Sequence, residues 1–124
     1  MAAFAGSAYS DYGYFSVNGI NYKNRASVST DSSTHKSYAT TTLTSTNKSA
    51  PAGWMGTNAR LFNSSGTLLK EGGFSYTTST TSTTVSSSPN YTNKGTYRSY
   101  GVTRAWTGST YQNYYTFLSP FQNA

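Results

Sequence analysis

Apolar and polar residues alternate with a period of two along much of the chain, which is typical of β-strands that bury one face. The clearest case surrounds Asn18-Gly19, because both residues tolerate the positive φ angles of a two-residue type I′ hairpin turn. Pairing across this turn gives three facing pairs: Val17 with Ile20, Phe15 with Tyr22, and Gly13 with Asn24. One face of the hairpin is therefore apolar, and we predict that it is buried.

The same alternation predicts further strands. They cover residues 36–46, 54–63, 95–106 and 111–118, with a turn at 63–66. Helical periodicity is not evident, while Thr and Tyr, which favour strands, dominate. With strands this short and closely spaced, we predict an all-β fold, a single-domain antiparallel β-sandwich of about 7–8 strands, with a small β-barrel as the alternative.

A tract of Ser and Thr occupies residues 77–88. Composition alone would allow a flexible linker, but Thr favours strands and the apolar Val85 could anchor the segment. We predict a long, exposed edge strand there, with a mobile loop as the alternative. An exposed strand of low charge also invites pairing between molecules.

The first residues predict secretion. Ala3-Phe4-Ala5 precedes Gly6 in the small-x-small pattern that signal peptidase reads. We interpret residues 1–5 as a signal-peptide remnant or as residues added for expression, and residues 6–124 as the single domain. No apolar run approaches the roughly 18 residues of a membrane-spanning helix. We therefore expect a secreted or cell-surface protein without a transmembrane segment.

Composition narrows the class of protein. Aromatic residues make up 16% of the chain, whereas disordered chains carry few, so a folded β protein is favoured. The net charge of +6 favours an anionic partner. The basic residues are dispersed, which together with the predicted secretion argues against nucleic acid and favours envelope polysaccharide or another anionic polymer.

Few residues are suited to catalysis. His35 is the only histidine, Asp11, Asp31 and Glu71 are the only acids, and cysteine is absent. A hydrolase triad needs a histidine between an acid and a nucleophile, and His35 lies in a predicted exposed turn. Three scattered acids do not suggest the paired carboxylates of a glycosidase or a metal site. We predict a protein that is not an enzyme and has no cofactor or metal.

The most distinctive candidate site is the aromatic segment 97–106 and the strand after it. On an extended strand, alternate residues of this segment would present arginines and rings on one face, suited to stacking on sugars and attracting anions. The predicted ligand-binding residues are Tyr97, Arg98, Tyr100, Arg104, Trp106, Tyr111 and Tyr114. The alternative is that these rings form the core, with the arginines at its rim.

Residues 97–102, followed by Tyr114-Tyr115 and Ser119-Pro120, resemble small secreted β proteins of Gram-positive bacteria. Among named groups, the likeness is to the lactococcin 972-like bacteriocins, which are cysteine-free β-sandwiches. The resemblance covers the last third of the chain and implies secretion and a target in the cell envelope. This chain departs from that family in being longer and in having a single histidine.

Together these features predict a secreted, non-catalytic β protein that binds cell-envelope or extracellular polysaccharide through an aromatic and arginine strand face. Two alternatives stay open at this point. One is a surface or matrix subunit that self-assembles through edge strands. The other is a bacteriocin-like toxin that acts at the cell envelope.

Overall fold

The computed structural model describes residues 5–124, and this part of the chain forms strands and turns without a helix. The strands are β1 (Ala5–Tyr9), β2 (Gly13–Val17), β3 (Ile20–Asp31), β4 (Lys36–Ser45), β5 (Met55–Asn58), β6 (Arg60–Asn63), β7 (Leu68–Glu71), β8 (Ser75–Tyr76), β9 (Thr83–Ser87), β10 (Tyr91–Thr92), β11 (Thr96–Ser99), β12 (Val102–Trp106), β13 (Tyr111–Tyr115) and β14 (Gln122–Asn123). The predicted all-β class is confirmed. The predicted signal-peptide remnant lies outside the described residues, except for Ala5, which begins β1.

The strands form three antiparallel sheets. In sheet 1, β3 and β4 lie at the centre, with β1 and β2 beside β3 and with β9 and β10 beside β4. Sheet 2 has the order β14-β11-β6-β7, and sheet 3 has the order β13-β12-β5-β8. Fourteen strands replace the predicted 7–8, and within residues 5–124 none of the sheets closes into a barrel.

Sheets 2 and 3 are successive halves of one long strand pair. Ser99 faces Leu61 in sheet 2 and Val102 faces Asn58 in sheet 3, so the register does not shift between them. Ala59 interrupts one strand run and Tyr100-Gly101 interrupts the other. The two sheets therefore share one inner face and one outer face.

The core lies between sheet 1 and this shared inner face. One cluster combines Val17, Ile20, Tyr22 and Leu43 of sheet 1 with Ala50, Met55 and Ala105, and the second combines Val28 and Ala39 with Ala59, Leu61, Tyr97 and Ala124. Buried polar groups also bridge the gap: the Asn24 amide donates to Thr103 Oγ1 at 2.9 Å, and the Thr41 hydroxyl donates to the Asn58 carbonyl oxygen at 3.3 Å. Small and hydroxylated residues thus complete a core with few large aliphatic side chains.

The predicted β2–β3 hairpin is confirmed in turn and register. Asn18 and Gly19 have φ angles of 53° and 78°, as a type I′ turn requires. All three predicted facing pairs occur. Val17 and Ile20 are buried, whereas Tyr14 on the opposite face is 73% exposed.

The turn at residues 63–66 is also confirmed. Gly66 has a φ angle of 83°, which a side chain would resist. The Asn63 side chain accepts hydrogen bonds from the backbone of Ser65 and Thr67, and β7 then folds back on β6. A short polar loop ending in glycine is thus enough to reverse the chain here.

The prediction of one long edge strand at residues 77–88 is wrong over its first half. Only β9 pairs with sheet 1, while residues 77–82 run between sheet 3 and sheet 1. This crossing is fixed by backbone hydrogen bonds of 2.8–3.0 Å, among them Thr77 N–H to the Met55 carbonyl and Ala50 N–H to the Thr81 carbonyl. A segment that changes sheets cannot pair along its whole length with one neighbour, whatever its strand propensity.

Two buried tyrosines differ in how their hydroxyls are satisfied. The Tyr97 hydroxyl donates to the Asn93 carbonyl oxygen at 2.8 Å, whereas the Tyr22 hydroxyl has no hydrogen-bond partner among the described residues. Burial raises the pKa of Tyr22. Burial first, and then the neighbouring Tyr91, raises the pKa of Tyr97.

We expect different effects on the free energy of unfolding from removing these two hydroxyls at pH 7. Tyr97→Phe lowers the free energy of unfolding by about 1 kcal/mol, while Tyr22→Phe leaves it unchanged or raises it by up to about 1 kcal/mol. A raised folded pKa means that stability is full below the unfolded pKa, near 10, and is lost as pH rises through the folded pKa. Each variant should therefore lose less stability than wild type on going to alkaline pH.

Urea unfolding at neutral and alkaline pH measures both effects. The wild-type protein is the reference, and the two variants are matched because each loses one phenolic oxygen from the core. If Tyr22→Phe weakens the fold at pH 7 more than Tyr97→Phe does, the two hydroxyls have been assigned the wrong hydrogen-bond partners.

Candidate functional site

The side chains of the long strand run β11–β12 alternate between the core and the outer face. Tyr97, Thr103 and Ala105 are buried against sheet 1. The residues of opposite parity point outward from sheets 2 and 3, where they meet rings from neighbouring strands. We call this surface the aromatic–arginine face; it comprises Arg60, Phe62, Phe74, Tyr76, Arg98, Tyr100, Arg104, Trp106, Tyr111, Tyr115 and Phe121.

Arg104 organises one end of this face. Its guanidinium carbon lies 3.7 Å from the centroid of the Phe74 ring. Its Nη1 donates to the Tyr76 hydroxyl at 2.6 Å, and its Nε donates to Asn113 Oδ1 at 2.8 Å. The planar group is therefore held between a ring below and polar partners at its edge, so its orientation is fixed before any ligand arrives.

The strand opposite Arg104 carries a glycine for a steric reason. Gly56 faces Tyr76 in β8, and a Cβ atom on Gly56 would lie 2.8 Å from Cε1 of the Tyr76 ring. Contacts this short are not tolerated, so a side chain at this position would displace the ring. Gly56 thus allows Tyr76 to lie flat across the sheet.

A row of rings continues from this end of the face. The Tyr76 and Tyr111 ring centroids are 4.9 Å apart, and those of Trp106 and Tyr111 are 5.0 Å apart at an interplanar angle of 66°. The Tyr111 hydroxyl donates to the Gly53 carbonyl oxygen at 2.6 Å, which fixes the ring that joins the other two. These distances are typical of favourable aromatic pairs.

Arg60 forms a second cluster in the middle of the face. Its guanidinium carbon lies 5.3 Å from the Phe62 ring centroid, 5.0 Å from that of Tyr100 and 5.5 Å from that of Tyr115. The Tyr100 and Tyr115 rings stack at 5.6 Å and 19°. Tyr115 is 55% exposed, so this stack presents a ring surface to solvent.

Arg98 marks the third cluster, with its guanidinium carbon 3.7 Å from the Phe121 ring centroid. Three guanidinium groups therefore lie on rings along one face. Glu71, opposite Arg60 in β7, is the only acidic residue in the strands of sheets 2 and 3. The face consequently keeps a net positive charge, and its rings and cations can stack on sugars and attract anionic groups.

Two of the predicted ligand-binding residues do not reach this face. Tyr97 is 3% exposed and belongs to the core. Tyr114 faces Thr103 across the β12–β13 pair and therefore points inward, where its ring stacks on Phe15 at 3.8 Å and 7°. The core alternative raised from the sequence thus holds for these two rings, while Arg98, Tyr100, Arg104, Trp106 and Tyr111 lie outward.

Sequence reasoning missed several members of the face. Phe74 and Tyr76 come from the approach to the Ser/Thr tract, and Arg60 and Phe62 come from the predicted strand at residues 54–63, which was not considered as part of the site. The alternation of side chains along β13 could have identified one of them. If Trp106 pairs with Tyr111, then Tyr115, four residues later, lies on the same side of the sheet, and Tyr114 lies on the other side. No comparable local signal connects Phe74 to Arg104, because 30 residues separate them.

Two of the residues considered for catalysis lie at the β3–β4 turn. His35 lies in the β3–β4 turn with a φ angle of 55°. Asp31 accepts two hydrogen bonds from Ser33 in the same turn, and they hold the pKa of its carboxyl below the usual value. Within residues 5–124, no three His, Asp or Glu side chains come together as a possible metal site. The described part of the chain contains no helix that could span a bilayer.

Comparison with protein-family models, curated proteins and solved structures gave no significant match. The resemblance to the lactococcin 972-like bacteriocins therefore stays a prediction.

Proposed function

We propose that this chain is a secreted, non-catalytic β-sandwich that binds a polysaccharide of the cell envelope or extracellular matrix through the aromatic–arginine face. The observation that carries the proposal is the stacking of three arginines on aromatic rings along one outward face. Such a face offers flat apolar surfaces for sugar rings and fixed cations for acidic groups. The net charge of +6 favours an anionic polymer over a neutral one.

Preorganisation is the physical argument for binding here. Arg104, Tyr76 and Tyr111 are fixed by hydrogen bonds and ring contacts within the protein, so little side-chain freedom would be lost when a ligand is bound. The strands beneath them form an extended hydrogen-bonded surface, which suits a linear polymer. A hydroxyl-rich ligand would also find phenol and amide groups at the edges of the rings.

The test of this proposal is retention on isolated cell wall. Trp106→Ala should weaken retention by about tenfold or more, by analogy with base–aromatic stacking in single-stranded nucleic-acid complexes, which contributes roughly 1–3 kcal/mol per base. Circular dichroism should keep its β-type spectrum, since Trp106 lies on the outer face.

The control is Lys94→Ala, which removes an exposed side chain from the β10–β11 connection, outside the strands of the aromatic–arginine face. This variant should be retained as well as wild type. Equal retention of Trp106→Ala and wild type would remove the proposed face from consideration.

A further inference from the structure

A second cluster of cations and rings lies on the outward face of sheet 1. The guanidinium carbon of Arg25 is 4.4 Å from the Tyr9 ring centroid and 4.7 Å from that of Tyr12. The Lys23 ammonium is 4.3 Å from the Tyr12 centroid on the same side. Tyr9 is 53% exposed and Tyr14 is 73% exposed, so the cluster presents rings to solvent.

The Arg25 side chain is fitted to its rings. Its Nε atom is buried and has no hydrogen-bond partner among the described residues. Buried polar groups are normally paired, so an unpaired Nε is unusual. The guanidinium group is positioned by its cation–π contacts with the Tyr9 and Tyr12 rings.

An open groove of about 550 Å³ lies further along the same face. Its polar lining includes Ser7, Ser29, Asp31, Lys36 and Asn90, and Tyr38, 38% exposed, contributes a ring. A ring beside a carboxylate, an ammonium, an amide and hydroxyls is the combination that recognises a sugar by stacking and by hydrogen bonds.

The cluster and the groove are joined by one strand. Lys23 and Arg25 occupy one part of β3, and Ser29 and Asp31 occupy the other, all with the same parity. The eight residue-to-residue steps from Lys23 to Asp31 span roughly 26 Å at the usual rise of a strand. A linear polymer lying along β3 would therefore contact both.

This surface and the aromatic–arginine face point in opposite directions. Lys23 and Arg25 alternate with the buried Tyr22, Asn24 and Ala26, which face the inner side of sheets 2 and 3. The aromatic–arginine face lies on the far side of those sheets. Packed sheets are about 10 Å apart, so a polymer segment lying flat on one surface does not reach the other.

We propose that the outward face of sheet 1 is a second binding surface for acidic polysaccharide, so that one protein molecule joins two polymer chains. This inference rests on the proposed function for its first surface, and it adds the second surface and the cross-linking that follows. With one surface the protein would only bind the polymer, whereas with two surfaces it would cross-link polymer chains.

The experiment uses polygalacturonate, a linear polymer of acidic sugars, with chelator present to remove calcium. Light scattering follows cross-linking, and retention on immobilised polymer follows binding. Three variants are compared with wild type: Tyr12→Ala/Arg25→Ala, Arg104→Ala/Trp106→Ala, and the charge control Lys94→Ala from the β10–β11 connection. Circular dichroism checks that each is folded, and the protein alone is measured for self-association.

Wild type should scatter most at an intermediate ratio of protein to polymer, as a two-sided connector does. Tyr12→Ala/Arg25→Ala should still be retained on the polymer, but the light scattering of its mixture with polymer should be at least tenfold lower than that of wild type. The Lys94→Ala variant should behave as wild type. An equimolar mixture of the two double variants should not restore scattering, because neither molecule has two working surfaces.

Each other outcome overturns a stated part. If Tyr12→Ala/Arg25→Ala scatters as much light as wild type, the second surface is wrong. If the protein without polymer scatters as much light as the mixture, the second surface is also wrong, and the protein self-assembles instead. If Arg104→Ala/Trp106→Ala is retained normally while Tyr12→Ala/Arg25→Ala is not, the first surface fails and the second stands. Absence of retention by wild type, or loss of scattering by Lys94→Ala alone, would overturn the two-surface connector.

Discussion

Gly101→Ala is expected to lower the free energy of unfolding by about 3 kcal/mol or more, since overpacking a close-packed core costs that much when neighbours cannot move. The added methyl carbon would lie 2.8 Å from Thr41 Cγ2 and 2.9 Å from Thr41 Cβ, and closer still to Thr41 Oγ1. Thr41 is fully buried in the central strand β4. Thr41 cannot move away easily, because β4 pairs with β3 on one side and with β9 on the other. Gly101 is held as well, since its N–H donates to Thr116 Oγ1 and its carbonyl oxygen accepts from the Thr116 N–H.

Denaturant unfolding of two further variants isolates the cause. Gly66→Ala is the matched control, because Gly66 has a positive φ angle but no atom within 4 Å of an added Cβ. It should cost about 1 kcal/mol, from backbone conformation alone. In the double variant Gly101→Ala/Thr41→Ala, part of the loss should be recovered, since the hydroxyl and methyl of Thr41 are gone. A cost for Gly101→Ala no greater than that for Gly66→Ala would contradict the predicted clash.

Arg104→Ala is expected to weaken binding to acidic polysaccharide by about a hundredfold. The substitution removes a cation and also releases Phe74, Tyr76 and Asn113, which its guanidinium group holds in place. Base–aromatic stacking in single-stranded nucleic-acid complexes contributes roughly 1–3 kcal/mol per base, and by that analogy the loss of two ordered rings accounts for most of this effect. Titration calorimetry with a soluble acidic polymer measures it.

Arg104→Lys separates charge from geometry at the same position. Lysine keeps the positive charge but lacks the planar fork that stacks on Phe74 while bonding Tyr76 and Asn113. We therefore expect Arg104→Lys to stay about tenfold weaker than wild type, with Lys94→Ala as a charge control that binds normally. Full recovery with lysine would mean that the face acts through charge alone.

The hairpin around Asn18-Gly19 shows how much of the fold could be predicted from local pattern. Its turn type depends on two adjacent residues, and its register follows from the turn, so Val17 and Ile20 could be paired and placed in the core. The turn ending at Gly66 was predictable for the same reason. In both cases the determining interactions lie within a few residues.

The side on which each tyrosine lies was harder to predict. Tyr97 and Tyr100 are alike in sequence context, and alternation places them on opposite faces without saying which face sheet 1 covers. That choice depends on contacts with Val28 and Ala39, which are about 60 residues away in the chain. The same dependence on distant contacts explains why residues 77–82 do not form the strand that was predicted for them.

The close packing of the core protects the one methionine that the structure describes. Met55 carries the only sulfur atom in residues 5–124, and its side chain is fully buried. Mild peroxide should therefore leave Met55 unmodified in the native protein, because oxidation requires access of the oxidant to the thioether. The rate at which Met55 sulfoxide forms would therefore measure how often local unfolding exposes this part of the core.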